Sequence, residues 1–64
     1  MKIIQFFKRM NMSSNAIVEL FNVDTQEQRR LFYREIKELP EWMKSGKINS
    51  FTIRDNVLTI YFEA

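Results

Sequence analysis

Arginine and lysine side chains are concentrated in the middle of this 64-residue chain. Guanidinium and ammonium groups bind phosphates and carboxylates through charge-assisted hydrogen bonds. The cations concerned are Arg29, Arg30, Arg34, Lys37 and, near the end of the chain, Arg54. They are candidate contacts for phosphate or for an acidic partner. The alternative is a solvated helix face with local pairs such as Glu27 with Arg30.

A second group of residues combines aromatic rings with cations. Its members are Phe7, Lys8, Arg9, Arg54 and Tyr61. Rings on an open sheet stack on nucleic-acid bases, and neighbouring cations contact phosphates. The spacing matches no ribonucleoprotein consensus, and no glycine adjoins these residues to let bases approach. Binding of single-stranded nucleic acid is therefore an alternative function.

The third candidate is a pair of aromatic residues near the predicted helix end, Tyr33 and Trp42. Tyr and Trp are frequent energetic centres of protein interfaces. Trp42 falls outside the main apolar stripe, so it either caps one end of the core or anchors a partner protein.

Other kinds of site chemistry lack the residues they need. The chain contains no His and no Cys, which removes the usual zinc ligands, the Ser-His-Asp and Cys-His arrangements, and the general acid–base group that titrates near neutrality. One Gly leaves no phosphate-cradling loop or dinucleotide fingerprint. We predict a protein that is not an enzyme, with no catalytic residues, no cofactor and no metal ion.

Composition narrows the class of protein further. The net charge is +2 and 45% of the residues are hydrophobic, which favours a folded domain over a dedicated nucleic-acid binder with a strong basic field. No apolar run approaches a membrane span, and no signal-peptide pattern is present. We expect one compact domain over residues 1–64, soluble and cytoplasmic, with no membrane partner.

Alternating residues near the end of the chain predict a β-hairpin around Asp55-Asn56, two residues that tolerate positive φ. The expected apolar pairs are Ile53–Leu58, Phe51–Ile60 and Asn49–Phe62, and the expected polar-face pairs are Arg54–Val57, Thr52–Thr59 and Ser50–Tyr61. Such a hairpin buries one face and leaves the other in water.

The middle of the chain reads as a helix that begins with Asp24 as N-cap and Glu27 at capping-box spacing. Its apolar stripe comprises Leu31, Phe32, Ile36, Leu39 and Met43. Pro40 either kinks this helix or ends it near Glu38 and starts a separate turn, and Gly46 stops the helical segment.

Two further strands are predicted before the helix, at residues 2–8 and 16–23, joined by a loop rich in turn formers. The fold class is therefore α+β: a β-hairpin, a helix and a second β-hairpin (ββαββ), with the helix packed on one face of a four-stranded sheet. The element order is β-grasp-like if the first and last strands are neighbours.

The strand predicted at residues 2–8 is apolar on both faces. Ile4 and Phe6 would face the helix, which leaves Ile3 and Phe7 on the back. Across the first hairpin these two would join a patch completed by Ile17 and Phe21. Either neighbouring side chains cover this patch or it is a contact surface, since contiguous exposed apolar patches mark interaction sites.

We therefore predict a small regulatory protein-binding module that acts through this apolar sheet face together with Tyr33 and Trp42. It would serve as an inhibitor or adaptor, of the kind that phages and other mobile elements encode. The alternatives are the single-stranded nucleic-acid binder and a structural homo-oligomer, such as a homodimer in which the patch meets its own copy.

Overall fold

The computed structural model describes all residues from 1 to 64 and contains four strands with short helical segments. In chain order the elements are α1 (Ile3–Lys8), β1 (Ile17–Asn22), β2 (Gln28–Phe32), a 3₁₀ helix (Tyr33–Glu38), α2 (Glu41–Lys44), β3 (Lys47–Arg54) and β4 (Val57–Glu63). The strands form one sheet in the order β2–β1–β4–β3. The central β1–β4 pair is parallel and the outer pairs are antiparallel, so the chain is an α+β protein with a mixed sheet.

The second hairpin forms as predicted. Asp55 and Asn56 have φ values of 53° and 64°, which is the left-handed conformation that a tight two-residue hairpin turn requires. The observed register contains the predicted pairs Ile53–Leu58, Phe51–Ile60, Arg54–Val57, Thr52–Thr59 and Ser50–Tyr61. One predicted pair is wrong, because the register shifts between Ile48 and Ser50 and Ile48 takes the place opposite Phe62. Asn49 lies at this bulge.

The prediction of a strand at residues 2–8 is wrong, since this segment forms α1. Apolar residues at positions 3, 4, 6 and 7 also fit helical spacing, and a short apolar run does not distinguish the two. In the helix Ile3 and Phe7 lie one turn apart on the same side, and both are buried. The backbone N–H of Lys2 donates to Gln5 Oε1 at 3.0 Å, which satisfies one donor at the helix start.

The strand predicted at residues 16–23 is confirmed as β1, but its hairpin partner is β2 and not the segment before it. The predicted helix start is wrong, because residues 23–27 form the turn between these strands. Asn22 Oδ1 accepts a hydrogen bond from the backbone N–H of Asp24 at 2.9 Å. Gln26 completes the turn with a φ of 63°. β2 then pairs with β1 and buries Leu31, a gain that outweighs the helical spacing of this segment.

Of the two alternatives for Pro40, the break is confirmed. The 3₁₀ helix ends at Glu38, and Pro40 is the N-cap of α2. At the start of the 3₁₀ helix, Glu35 Oε1 accepts from the backbone N–H of Phe32 at 2.8 Å. The Pro40 carbonyl accepts from the backbone N–H groups of Met43 and Lys44, both at 3.0 Å. None of the helices has the length and apolar character that crossing a membrane requires.

The core lies between one face of the sheet and the helical segments. Its buried members are Ile3, Phe7, Val18, Leu20, Leu31, Ile36, Leu39, Met43, Leu58, Ile60 and Phe62. Phe51 and Ile53, predicted to be covered by the helix, are instead 50% and 67% exposed. The reason is that β3 is an edge strand and the helices leave its second half uncovered.

We expect Ile3→Ala to lower the free energy of unfolding by about 2–4 kcal/mol, because it leaves a cavity in the core. Ile53→Ala removes the same atoms from an exposed side chain and should cost less than about 1 kcal/mol. Urea unfolding of both variants tests this prediction. Equal effects would show that residues 3–8 do not contribute to the core as described.

Gly46 is buried where a Cβ atom would lie 2.6 Å from Phe62 Cδ2 and 3.1 Å from the Met43 carbonyl oxygen. Gly46→Ala should therefore destabilise the fold by about 1–3 kcal/mol through overpacking. Ser45→Ala, a change at the exposed neighbouring position, is the matched control and should cost less than about 1 kcal/mol. Thermal unfolding monitored by circular dichroism compares the two, and a harmless Gly46→Ala would contradict this packing.

Candidate functional site

A shallow groove of about 440 Å³ lies between the end of α1 and the 3₁₀ helix. Its lining residues combine apolar side chains with three cations and include no carboxylate. They are Ile4, Phe7, Lys8, Met10, Tyr33, Arg34, Ile36 and Lys37. We refer to this surface as the basic groove.

The floor of the basic groove belongs to the core. Phe7 and Ile36 are both buried, and they are flanked by the half-buried side chains of Ile4, Met10 and Tyr33. The Tyr33 ring centroid lies 5.8 Å from that of Phe7. The Tyr33 hydroxyl donates to the carbonyl oxygen of Met10 at 3.3 Å and lies 3.5 Å from that of Phe7. Tyr33 therefore ties the 3₁₀ helix to the end of α1.

The rim of the basic groove carries positive charge that is not neutralised within the protein. Lys8 and Lys37 are exposed and form no ion pair, since the two ion pairs of the structure join Arg30 to Glu19 and Lys44 to Glu41. These two ammonium groups are available to an anionic partner.

Arg34 differs from the two lysines because its position is already set by contacts within the protein. Its guanidinium carbon lies 4.3 Å from the centre of the Phe32 ring, and its Nη1 donates to Asn15 Oδ1. Arg34 nevertheless has no carboxylate partner. It adds a preorganised positive charge to the rim.

The predicted cation cluster is only partly brought together. Arg34 and Lys37 share the basic groove with Lys8, a member of the predicted nucleic-acid set. Arg29 and Arg30 are consecutive on β2, so they lie on opposite faces of the sheet. Arg54 lies at the far end of β3, beside the hairpin turn.

The predicted apolar surface of Ile3, Phe7, Ile17 and Phe21 is wrong as a single surface. Ile3 and Phe7 lie in the core because their segment is a helix. Ile17 and Phe21 are half-buried on β1, on the opposite, helix-free face of the sheet. They are separated by Glu19 and by about 13 Å of strand.

That open face is not continuously apolar. Its rows, read across the sheet, are Phe32–Ile17–Val57–Arg54, Arg30–Glu19–Thr59–Thr52 and Gln28–Phe21–Tyr61–Ser50. The middle row is polar, and its Arg30–Glu19 ion pair spans 3.6 Å. The Phe21 and Tyr61 rings contact each other with centroids 5.6 Å apart. Two apolar bands are thus separated by a polar one.

The predicted nucleic-acid set is divided by the same geometry. Tyr61 and Arg54 lie on the open face, while Phe7 is buried on the other side of the sheet. Lys8 and Arg9 lie at the end of α1. No single surface therefore presents all five members of this set together.

Trp42 lies on α2 and is 52% exposed. It shares a shallow depression with Arg29, and this depression has no lining residue in common with the basic groove. Its neighbour Met43 supplies the buried contact of α2. Trp42 is therefore a surface side chain. Tyr33 lines the basic groove and Trp42 lines the other depression, so the predicted aromatic pair does not share one site.

Three apolar residues of the basic groove were not predicted as site residues from the sequence. They are Ile4, Met10 and Ile36. Ile4, Phe7 and Lys8 follow the i, i+3, i+4 spacing of one helix face, which is the signal that identifies α1 as one wall. No cluster of three or more carboxylates is arranged to hold a metal ion.

The architecture defines a small α+β protein with one mixed sheet and an unneutralised basic groove. Comparison of the chain with models of protein families, with curated proteins and with solved structures found no match.

We expect Tyr33→Phe to lower the free energy of unfolding by about 1 kcal/mol, because it leaves the Met10 carbonyl without its hydroxyl donor. Tyr61→Phe is the matched control, since the Tyr61 hydroxyl makes no hydrogen bond within the protein, and its effect should stay within about 0.5 kcal/mol. Chemical denaturation measures both. Equal values would show that the Tyr33 hydroxyl does not connect the groove walls.

Proposed function

We propose that this protein is a non-enzymatic protein-binding module whose basic groove receives an acidic segment of a partner protein. The observation that carries the proposal is the combination, in one depression, of an apolar floor with three cations and no carboxylate. Binding would mask or bridge the partner, which is the action of an inhibitor or adaptor.

The floor supports docking of one large apolar side chain. Phe7 and Ile36 provide rigid apolar contacts because both belong to the core, and Tyr33 is held by its hydroxyl. A side chain that leaves water for such a depression gains on the order of 25 cal/mol per Å² of apolar area. A preformed site also avoids the entropic cost of ordering its own walls.

The rim supports the choice of an acidic partner. Lys8, Arg34 and Lys37 surround the floor, and none of them has a carboxylate partner within the chain. Carboxylates placed beside the docked side chain would pair with these cations, and complementary rim charge raises both the association rate and the specificity. No residue that lines the groove carries a negative charge, so none would repel an acidic surface.

The open sheet face, with Ile17 and Phe21, is the less favourable contact surface. Its polar middle row would have to be desolvated, and its Arg30–Glu19 pair is already satisfied. The basic groove therefore replaces the sheet face as the proposed site of protein binding.

The placement of the aromatic rings relative to the groove cations disfavours nucleic-acid binding. Among the groove residues, Tyr33 has the ring that would have to stack on a base. This ring packs against Phe7 and is half-buried. Stacking of successive bases requires free ring faces beside the cations. The rings of Phe21 and Tyr61 lie on the other face of the sheet.

Selection from a random displayed-peptide library tests the proposal. We expect peptides selected on the wild-type protein to carry Asp or Glu on either side of a large apolar residue. The Lys8→Glu/Lys37→Glu variant should bind these peptides at least about tenfold more weakly, since attraction at the rim becomes repulsion; a tenfold change corresponds to about 1.4 kcal/mol. Fluorescence anisotropy measures the affinities.

The matched control is Lys2→Glu/Lys47→Glu, which changes the net charge equally at the other end of α1. This control should keep the affinity within about twofold. Equal weakening by both variants, or none by the groove variant, contradicts the proposed site. A labelled oligothymidylate that binds the groove at low salt, in the absence of acidic-peptide binding, would favour the nucleic-acid alternative instead.

A further inference from the structure

The outer edge of β3 is partly uncovered. The N-terminal residues protect its beginning, because Lys2 pairs with Lys47 and the backbone N–H of Ile48 donates to the Met1 carbonyl at 2.9 Å. After the bulge at Asn49, no further strand pairs with residues 50–54, and their backbone groups make no hydrogen bond outside the β3–β4 ladder.

The backbone groups at this free edge belong to Phe51 and Ile53. In a two-residue hairpin turn, the residues that flank the turn are hydrogen-bonded to each other, here Arg54 and Val57. Hydrogen-bonded and non-hydrogen-bonded pairs alternate along an antiparallel ladder. Phe51 and Ile53 therefore direct their N–H and C=O groups away from β4, which is also the direction in which Ile48 contacts Met1.

The same two residues carry exposed apolar side chains. Phe51 and Ile53 alternate with Thr52 and so share the helix side of the sheet. On that side the Phe6 ring lies beside Phe51, with centroids 5.2 Å apart, and Phe51 and Ile53 remain 50% and 67% exposed. Unpaired backbone and apolar side chains thus coincide at one short stretch.

The two edges of the sheet differ in how they are protected against pairing. Edge strands usually carry charges that prevent association with another strand. β2 has Arg29 and Arg30 at consecutive positions, whereas β3 has no charged residue between Lys47 and Arg54. The β3 edge lacks the charges that keep the β2 edge unpaired.

We propose that β3 pairs antiparallel with β3 of a second copy of this chain, around a two-fold axis at Thr52. In this register Phe51 lies opposite the partner's Ile53, and Ile53 lies opposite the partner's Phe51. Each such pair exchanges two backbone hydrogen bonds, so all free groups of Phe51 and Ile53 are satisfied. The two four-stranded sheets become one continuous sheet across the dimer.

In the proposed register the β3 stretch meets its own copy without a clash of like charges. Arg54 lies opposite the partner's Ser50, so no like charges face each other across the pair. On the helix side Phe51 and Ile53 of both copies form one apolar cluster. The interface is short, which places it among weak, concentration-dependent associations. It uses no residue of the basic groove, so it stands independently of the proposed function.

Cysteine cross-linking tests the register, because the natural chain has no Cys. Thr52→Cys should form an intermolecular disulfide on mild oxidation, since directly opposite residues of a non-hydrogen-bonded pair have Cα atoms about 4.5 Å apart. Ser50→Cys, on the same face of the same strand, is the matched control. Its two copies would lie about 13 Å apart along the strands, beyond disulfide reach. Equal cross-linking of both variants overturns the register.

Sedimentation tests the dimer itself. We expect the mass of the wild-type protein to rise from 7.8 kDa toward twice that value between about 10 µM and 1 mM, the range of weak complexes. Thr52→Lys places two like charges opposite each other and should shift the dissociation constant upward at least about tenfold. Thr25→Lys adds the same charge in the β1–β2 turn and should dimerise like the wild type. A wild-type protein that stays monomeric at 1 mM, or equal loss in both variants, overturns the proposal.

Discussion

The parallel pairing of β1 with β4 is the contact on which the rest of the fold depends. It joins the two hairpins into one sheet, and its inward apolar side chains are, together with Ile3, the most deeply buried of the chain. They are Val18, Leu20, Leu58, Ile60 and Phe62. Because each central strand has its hairpin partner on the outside, the chain must cross from one edge of the sheet to the other. The 3₁₀ helix and α2 make this crossing and cover the core as they do so.

The two proposed contact surfaces are consequences of how little chain is available for covering the sheet. Three short helical segments cover the centre, and where α1 meets the 3₁₀ helix the basic groove remains between them. The same segments do not extend over the second half of β3, so Phe51 and Ile53 stay exposed. Binding of an acidic partner and pairing of two copies would therefore use different residues and respond to different substitutions.

Sequence patterns identify most residues of the groove as candidates but do not group them into one site. Phe7 is a candidate as part of an apolar patch, Tyr33 as an aromatic anchor, and Arg34 and Lys37 as cations. Lys8 belongs to the predicted nucleic-acid set. Grouping them requires α1 to be a helix, because only then do Phe7 and Lys8 stand beside Tyr33. The sequence does not predict the exposed β3 edge, for a related reason. The predicted long helix would cover Ile53, whereas the shorter helices of the structure leave it exposed.

Local patterns by themselves determined the second hairpin, its turn at Asp55-Asn56 and the strand at β1, and they limited Pro40 to a kink or a break. Each rests on alternation or on backbone stereochemistry within a few residues. Tertiary structure decided the rest. Residues 3–8 suit a helix or a strand, and the core selects the helix because it buries Ile3 and Phe7 together. Residues 28–32 have helical spacing, yet as β2 they pair with β1 and bury Leu31, and local spacing alone does not stabilise a helix without such packing.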